Sequence, residues 1–152
     1  MSTAPLLEVD ALRTWFHTRQ GVAKAVDGVS FTLAPGEILG LAGESGSGKS
    51  VTGLSILGLV DPPGRIVSGR IVFKGTDLRT LKPEALRRLR GNRIAMVFQD
   101  PMMTLNPVLR IDTQMIEALR AHAPVSRAEA RARARDALRK VGIAAPDERL
   151  ES

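Results

Sequence analysis

Gly43-Glu44-Ser45-Gly46-Ser47-Gly48-Lys49-Ser50 follows the pattern G-x-x-x-x-G-K-[ST], and this stretch decides how the rest of the chain is read. The glycines let backbone N–H groups turn inward around phosphate oxygens. The lysine brings a mobile cation to the terminal phosphates, and the last hydroxyl is a hard oxygen ligand for Mg²⁺. The chemistry needs a strand running into the loop and a helix leaving it, so that phosphate meets the positive end of the helix. Upstream, Glu37-Ile38-Leu39-Gly40-Leu41-Ala42 is a short apolar run launched from Pro35-Gly36, which predicts a buried parallel strand. Downstream, Lys49 to Leu59 carries Leu54, Leu57 and Gly58 at helical spacing. The pattern and its flanks together imply a site for a nucleoside triphosphate.

The 152 residues, 43% hydrophobic and 25% charged, have the composition of a globular domain with a core. With no cysteine, disulfides, thiol catalysis and Cys-ligated zinc are excluded, which suits a reducing cytoplasm. His17 and His122 have no partner at ligand spacing and read as solvated surface residues. Met1 to Asp10 lacks a basic start, and Val51 to Val60 is too short to span a bilayer, so neither a secreted nor an integral membrane protein is expected. The net charge of +6 raises the possibility of nucleic acid as a partner. Only 3% of residues are aromatic, however, and the densest basic stretch, Arg127 to Lys140, reads as a solvated helix face with Glu129–Arg133 and Asp136–Lys140 pairs; no nucleic-acid partner is expected.

Along the chain, Leu6 to Phe16 alternates, Thr18 to Gly21 turns, and Val22–Val26 and Val29–Leu33 continue the strand pattern, which predicts an antiparallel β-layer ahead of the loop. Asp61-Pro62-Pro63-Gly64 forces a break, Ser68 to Phe73 is a strand, and Asp77 to Arg90 is a helical passage entered through Pro83. Ile94 to Phe98 predicts a second buried strand, stopped at Gln99-Asp100-Pro101. The last third is helical: Ile111 to Ala121, with Ile111, Met115 and Ala118 or Leu119 on one face, precedes a helix opened by the capping-box spacing of Ser126 and Glu129. Ala134, Ala137, Leu138 and Val141 form the apolar stripe of that second helix, which ends at Gly142.

Ala34 to Thr52 and Val97 to Val108 together resemble the ATP-binding subunits of ABC transporters, especially the oligopeptide, dipeptide and nickel importers. Val97-Phe98-Gln99-Asp100-Pro101-Met102-Met103-Thr104-Leu105-Asn106-Pro107 is similar to that subfamily's Q-loop. The fold implied is an α/β P-loop ATPase core with an N-terminal antiparallel β-layer and the start of a helical subdomain, divided as 1–108 and 109–152. By resemblance, Gly43, Glu44, Ser45, Gly46, Ser47, Gly48, Lys49 and Ser50 bind ATP, Ser50 and Gln99 hold Mg²⁺, and Gln99 serves the attacking water and transmits to a membrane partner. A neutral amide can do this without repelling the γ-phosphate. The resemblance also implies an aromatic of the β-layer that stacks on adenine, assigned to Phe16 with Trp15 as the alternative.

In the family the signature loop, the Walker B strand with its catalytic glutamate and the switch histidine would follow; none is present, and Arg149-Leu150-Glu151-Ser152 reads as the lead into the signature region. The expectation is therefore the N-terminal part of a peptide or nickel importer's ATPase, a peripheral protein at the cytoplasmic face of the inner membrane, with a second ATPase subunit and membrane permease subunits as partners. It is expected to bind Mg-ATP without hydrolysing it alone, and to expose apolar sheet edge. Two other readings stay open. One is a non-hydrolytic nucleotide-binding regulatory module; the other is a basic nucleic-acid-binding P-loop protein.

Overall fold

The computed structural model describes residues 4–99 and 104–152, which fall into two units, Met1–Arg87 and Arg88–Ser152. In the first, β1 (Leu7–Thr18) and β2 (Gly21–Leu33) form a hairpin. Thr18 Oγ1 closes its turn by donating to the Gly21 carbonyl at 2.9 Å. β3 (Gly64–Phe73) pairs with the other edge of β1, and β4 (Thr76–Asp77) completes an antiparallel sheet of order β2-β1-β3-β4. The two apolar runs of β2 are one continuous strand, bent where the register skips Gly28 and Ala25. On β1, Val9, Leu12 and Thr14 are buried, as are Val26 and Ile71; the alternation changes phase between Val9 and Leu12, where the register shifts and Ala11 has a positive φ. Full burial of Leu12 and Ile71 contributes about 1.5–3 kcal/mol each.

α1 (Lys49–Leu57) lies on this sheet through Thr52, Ser55 and Leu57. Ser55 Oγ donates to the Val51 carbonyl at 2.6 Å, so the buried 2.8 Å contact between Thr14 and Ser55 is a bond donated by Thr14. Small polar side chains at the contact let helix and strand approach closely with no hydroxyl left unpaired. The helix stops at Gly58, where Gly58 N–H returns to Ser55 O at 3.0 Å and Leu59 N–H to Leu54 O at 2.8 Å. A 3₁₀ turn (Leu78–Thr80), capped by Asp77, and α2 (Pro83–Leu89), entered at Pro83, follow β4. Glu84 hydrogen-bonds Arg87 on α2 at 3.0 Å, and that bond, followed by the carboxylate's charge, raises the guanidinium's pKa.

The two expected buried strands are not strands here. Residues 37–42 carry no ladder, and within 94–98 only Ile94 makes a bridge, to Arg90. Ile38 is 97% exposed and Val97 96% exposed. A central strand is held by neighbours on both edges and layers on both faces. Among the described residues no strand runs beside 37–42, so its apolar pattern has nothing to pair with.

In the second unit α3 (Ile111–Arg120), α4 (Arg127–Lys140) and α5 (Pro146–Leu150) enclose a small core of Ile116, Ala130, Ala134 and Leu150. Ser126 Oγ caps α4 by accepting from Glu129 N at 3.1 Å. Glu129 turns its carboxylate to Arg133 at 2.5 Å. Asp136 pairs with Arg139 at 3.1 Å in place of the expected Lys140. The helix ends as predicted at Gly142, with Ile143 N–H on Leu138 O at 3.0 Å. The predicted stripe holds at Ala134, which is buried with Ala130, and fails at its C-terminal end, where Ala137 and Val141 are exposed. Met115, Ala118 and Leu119 of α3 and Ala134 and Ala137 of α4 instead line an open cavity of about 500 Å³. Asp112, buried at the start of α3, lies between Arg110 and Arg131 at 3.7 and 3.8 Å, and Arg131 also reaches Glu151 at 3.0 Å. This network ties all three helices together, reinforced by Ile111 N–H donating to Ser152 O at 3.0 Å.

Candidate functional site

The loop 43–48 and the first turn of α1 form the candidate site. Gly48 is the N-cap residue, with φ near 90°, a conformation that penalises any side chain. A Cβ on Gly48 would also stand 2.1 Å from the carbonyl oxygen of Ala25. Ala25 is the residue skipped between the Thr14–Val26 and Trp15–Lys24 pairs. The bulge in β2 thus presses a backbone carbonyl against the last loop glycine and seats the loop on the sheet. From the helix side, Thr52 holds the Gly48 carbonyl with both its N–H at 2.8 Å and its hydroxyl at 2.9 Å.

The N-terminus of α1 has no side-chain cap and no acidic residue in its first turn. Its leading N–H groups and the positive end of the helix dipole are left for an anion. Lys49 folds back over the loop, its ammonium donating to Gly43 O and Glu44 O at 2.7 Å each and to Ser47 Oγ at 3.3 Å. These bonds match the three donors of a lysine. They pull the loop around a single cation. Gly43 is equally constrained, since a Cβ there would lie 2.5 Å from Ser47 Oγ. Ser50 is exposed beside this arrangement, its hydroxyl free to serve as a hard oxygen ligand. The donor set fits a polyphosphate with its Mg²⁺: a cation, a helix end without a side-chain cap and an exposed hydroxyl.

Phe16 and Trp15 stand on opposite faces of β1. Phe16 shares the face of Thr14, against which α1 packs. Its β2 partner, Ala23, is two positions from Ala25. Trp15 lies on the far face with Lys24 Nζ 4.8 Å from its ring centroid and with a buried Nε1 that has no hydrogen-bond partner among the described residues. Gln99 is exposed and belongs to the second unit. The Asp100–Met103 part of its motif lies outside the described residues. The rest of that loop is fixed by a residue the sequence reading missed. Gln114 on α3 accepts from Asn106 N at 2.8 Å through Oε1, and its Nε2 donates to Asn106 O at 3.1 Å and Leu109 O at 2.8 Å. No periodicity marks such a residue, because its partners are backbone groups of another segment.

An antiparallel β-layer, a glycine loop seated at a helix N-terminus and a helical unit define an α/β P-loop fold of the ATPase type. The chain belongs to the ABC transporter family, whose sequence profile matches residues 26–152. It is 54% identical over 143 residues to a putative peptide import ATP-binding protein of Brucella abortus, a match covering 94% of this chain and 43% of that protein. To the dipeptide transport ATP-binding protein DppD of Escherichia coli it is 42% identical over 146 residues, covering 96% of this chain and 45% of the relative. The chain therefore spans less than half the length of these relatives. Among solved structures, a dimeric ATP-binding cassette in a post-hydrolysis state bound to ADP and Pi shares the fold with a TM-score of 0.75 at 23% identity, over 88% of this chain and 56% of that one.

Proposed function

We propose that this chain carries the Mg-ATP-binding half-site of a peptide importer's ATPase subunit. The single observation behind this is the seating of Gly43–Ser50: bulge, close-approach glycine, uncapped helix end and lysine converge on one loop. In this reading the loop N–H groups and Lys49 hold the phosphates, Ser50 holds Mg²⁺, and Phe16 receives the base. The metal, when bound, neutralises charge on the β- and γ-phosphates. Lys49 would exchange its bonds to the Gly43 and Glu44 carbonyls for phosphate oxygens, opening the loop it now gathers. Gln99 would orient water and ligate the metal.

The named relatives are peptide and dipeptide proteins, which favours peptides over nickel as the solute. Partners in this reading are a second ATPase subunit and membrane permease subunits, with the protein peripheral at the cytoplasmic face. In accord with this, no helix among the described residues is long and apolar enough to cross a membrane. Residues 1–108 would form the β-layer and core up to Gln99, and 109–152 the beginning of the helical subdomain. In this reading Gly43–Ser50 and Gln99 supply binding and positioning rather than a general base, so the 152 residues are proposed to bind Mg-ATP without turning it over alone.

Urea unfolding with and without Mg-ATP tests the proposal, because a ligand that binds only the folded state raises the midpoint. The midpoint should rise with Mg-ATP for the native chain and stay put for Lys49→Ala, whose own midpoint without ligand should be close to native. A ligand-induced rise of equal size in Lys49→Ala would refute the loop assignment.

A further inference from the structure

We propose that Gly64 is a positioning residue for nucleotide recognition: its missing side chain is the space in which the Phe16 ring settles as a platform for the base. This rests on the reading of Phe16 as the stacking residue and explains how a sheet residue comes to present such a surface. Phe16 pairs across the sheet with Gly64 on one side and Ala23 on the other, so neither neighbour raises a bulky group beside it. A Cβ on Gly64 would fall 2.6 Å from Phe16 Cε1, 2.8 Å from Cζ and 2.8 Å from Val60 Cγ1. The ring edge therefore lies over the glycine backbone, an aromatic covering a cross-strand glycine.

Gly64 does not have the positive φ found at other glycines of the chain. An alanine there strains no backbone torsion; it only takes the room the ring uses. The turn entering β3, closed by Gly64 N–H on Asp61 O at 2.9 Å, needs nothing from the side chain and is kept. The ring is also well placed relative to the loop. Ala23 and Ala25 are two residues apart on β2, roughly 7 Å along a strand, and the Ala25 carbonyl is the group that meets Gly48. Phe16 shares the sheet face of α1, whereas Trp15 on the other face carries the Lys24 ammonium over its ring. Phe16 is thus the aromatic within reach of a base whose phosphates occupy the loop.

Calorimetric titration of the 152-residue chain with Mg-ATP and, in parallel, with Mg-tripolyphosphate separates base from phosphate binding. Stacking on one aromatic is worth about a tenfold change in affinity. Gly64→Ala should weaken ATP by about that factor and leave tripolyphosphate within about twofold, as should Phe16→Ala, while Phe16→Tyr keeps the native preference. If Phe16→Ala removes the preference for ATP but Gly64→Ala keeps it, the positioning role is overturned and the platform stands. An unchanged ATP-to-tripolyphosphate ratio in Phe16→Ala overturns the platform itself and the proposal with it. Should Gly64→Ala not fold, Val60→Ala removes the ring's other wall. It should lower the same ratio, and an unaltered ratio there counts against the proposal.

Discussion

Two alanine substitutions two residues apart in the loop pattern separate conformational strain from close packing. Gly46 and Gly48 both have positive φ, near 79° and 90°. A Cβ on Gly46 meets open space, whereas one on Gly48 would lie 2.1 Å from a backbone carbonyl that has no rotamer with which to move away. The torsional cost of a side chain in the left-handed region, about 1–2 kcal/mol, applies to both. Gly48→Ala adds an overpacking cost of about 1–3 kcal/mol, because relief requires lifting the start of α1 from the bulge of β2. With a urea slope of about 2 kcal/mol per molar, Gly46→Ala should lower the midpoint by about 0.5–1 M and Gly48→Ala by about 1–2.5 M. Far-UV circular dichroism followed through the transition supplies both numbers. A Gly48→Ala midpoint no lower than that of Gly46→Ala would show that the loop is not seated on Ala25, and the account of how the fold positions the site would fail.

Two predictions concern the helical unit. Asp112→Ala removes a buried carboxylate shared by Arg110 and Arg131; the arginines keep partial access to water, so the loss should be about 1–3 kcal/mol, seen as faster hydrogen exchange across α3–α5, and unchanged protection would deny the network a structural role. Gln114→Leu should speed exchange at Asn106, whose N–H the side chain receives at 2.8 Å, without altering protection of Ile116; exchange at native rate there would mean that the loop after Gln99 holds itself.

The local rules were the legible part of this fold. The β-layer, the helix after the loop, the Ser126 cap and the Gly142 stop each follow from chemistry confined to a few adjacent residues. What the sequence hid involves distant partners. The Ala25 bulge, the fit of Phe16 over Gly64 and the Gln114 clamp depend on which segments come to lie side by side. The helical stripe through Ala137 and Val141 was a related miss. Alanines on every side of α4 leave the choice of face to packing, and the face buried with Ile116 and Leu150 is that of Ala130 and Ala134.

Residues 37–42 show how the two kinds of information combine at the site. Their apolar run encodes contacts with neighbours on both sides, and without such neighbours among the described residues the chain runs exposed into Gly43. The loop is consequently held differently at its two ends. Downstream it is fixed by the Ala25–Gly48 approach and by Thr52; upstream, the lysine's bonds to Gly43 and Glu44 are what gather it. A triphosphate that draws Lys49 away removes that upstream hold at the moment it needs the loop ordered. In the proposed reading the ligand's own contacts must then hold the loop, and each backbone residue so fixed costs about 1–2 kcal/mol. A surface that pairs with residues 37–42 would hold Gly43 from upstream in the same reading, and should therefore tighten nucleotide binding without touching the nucleotide.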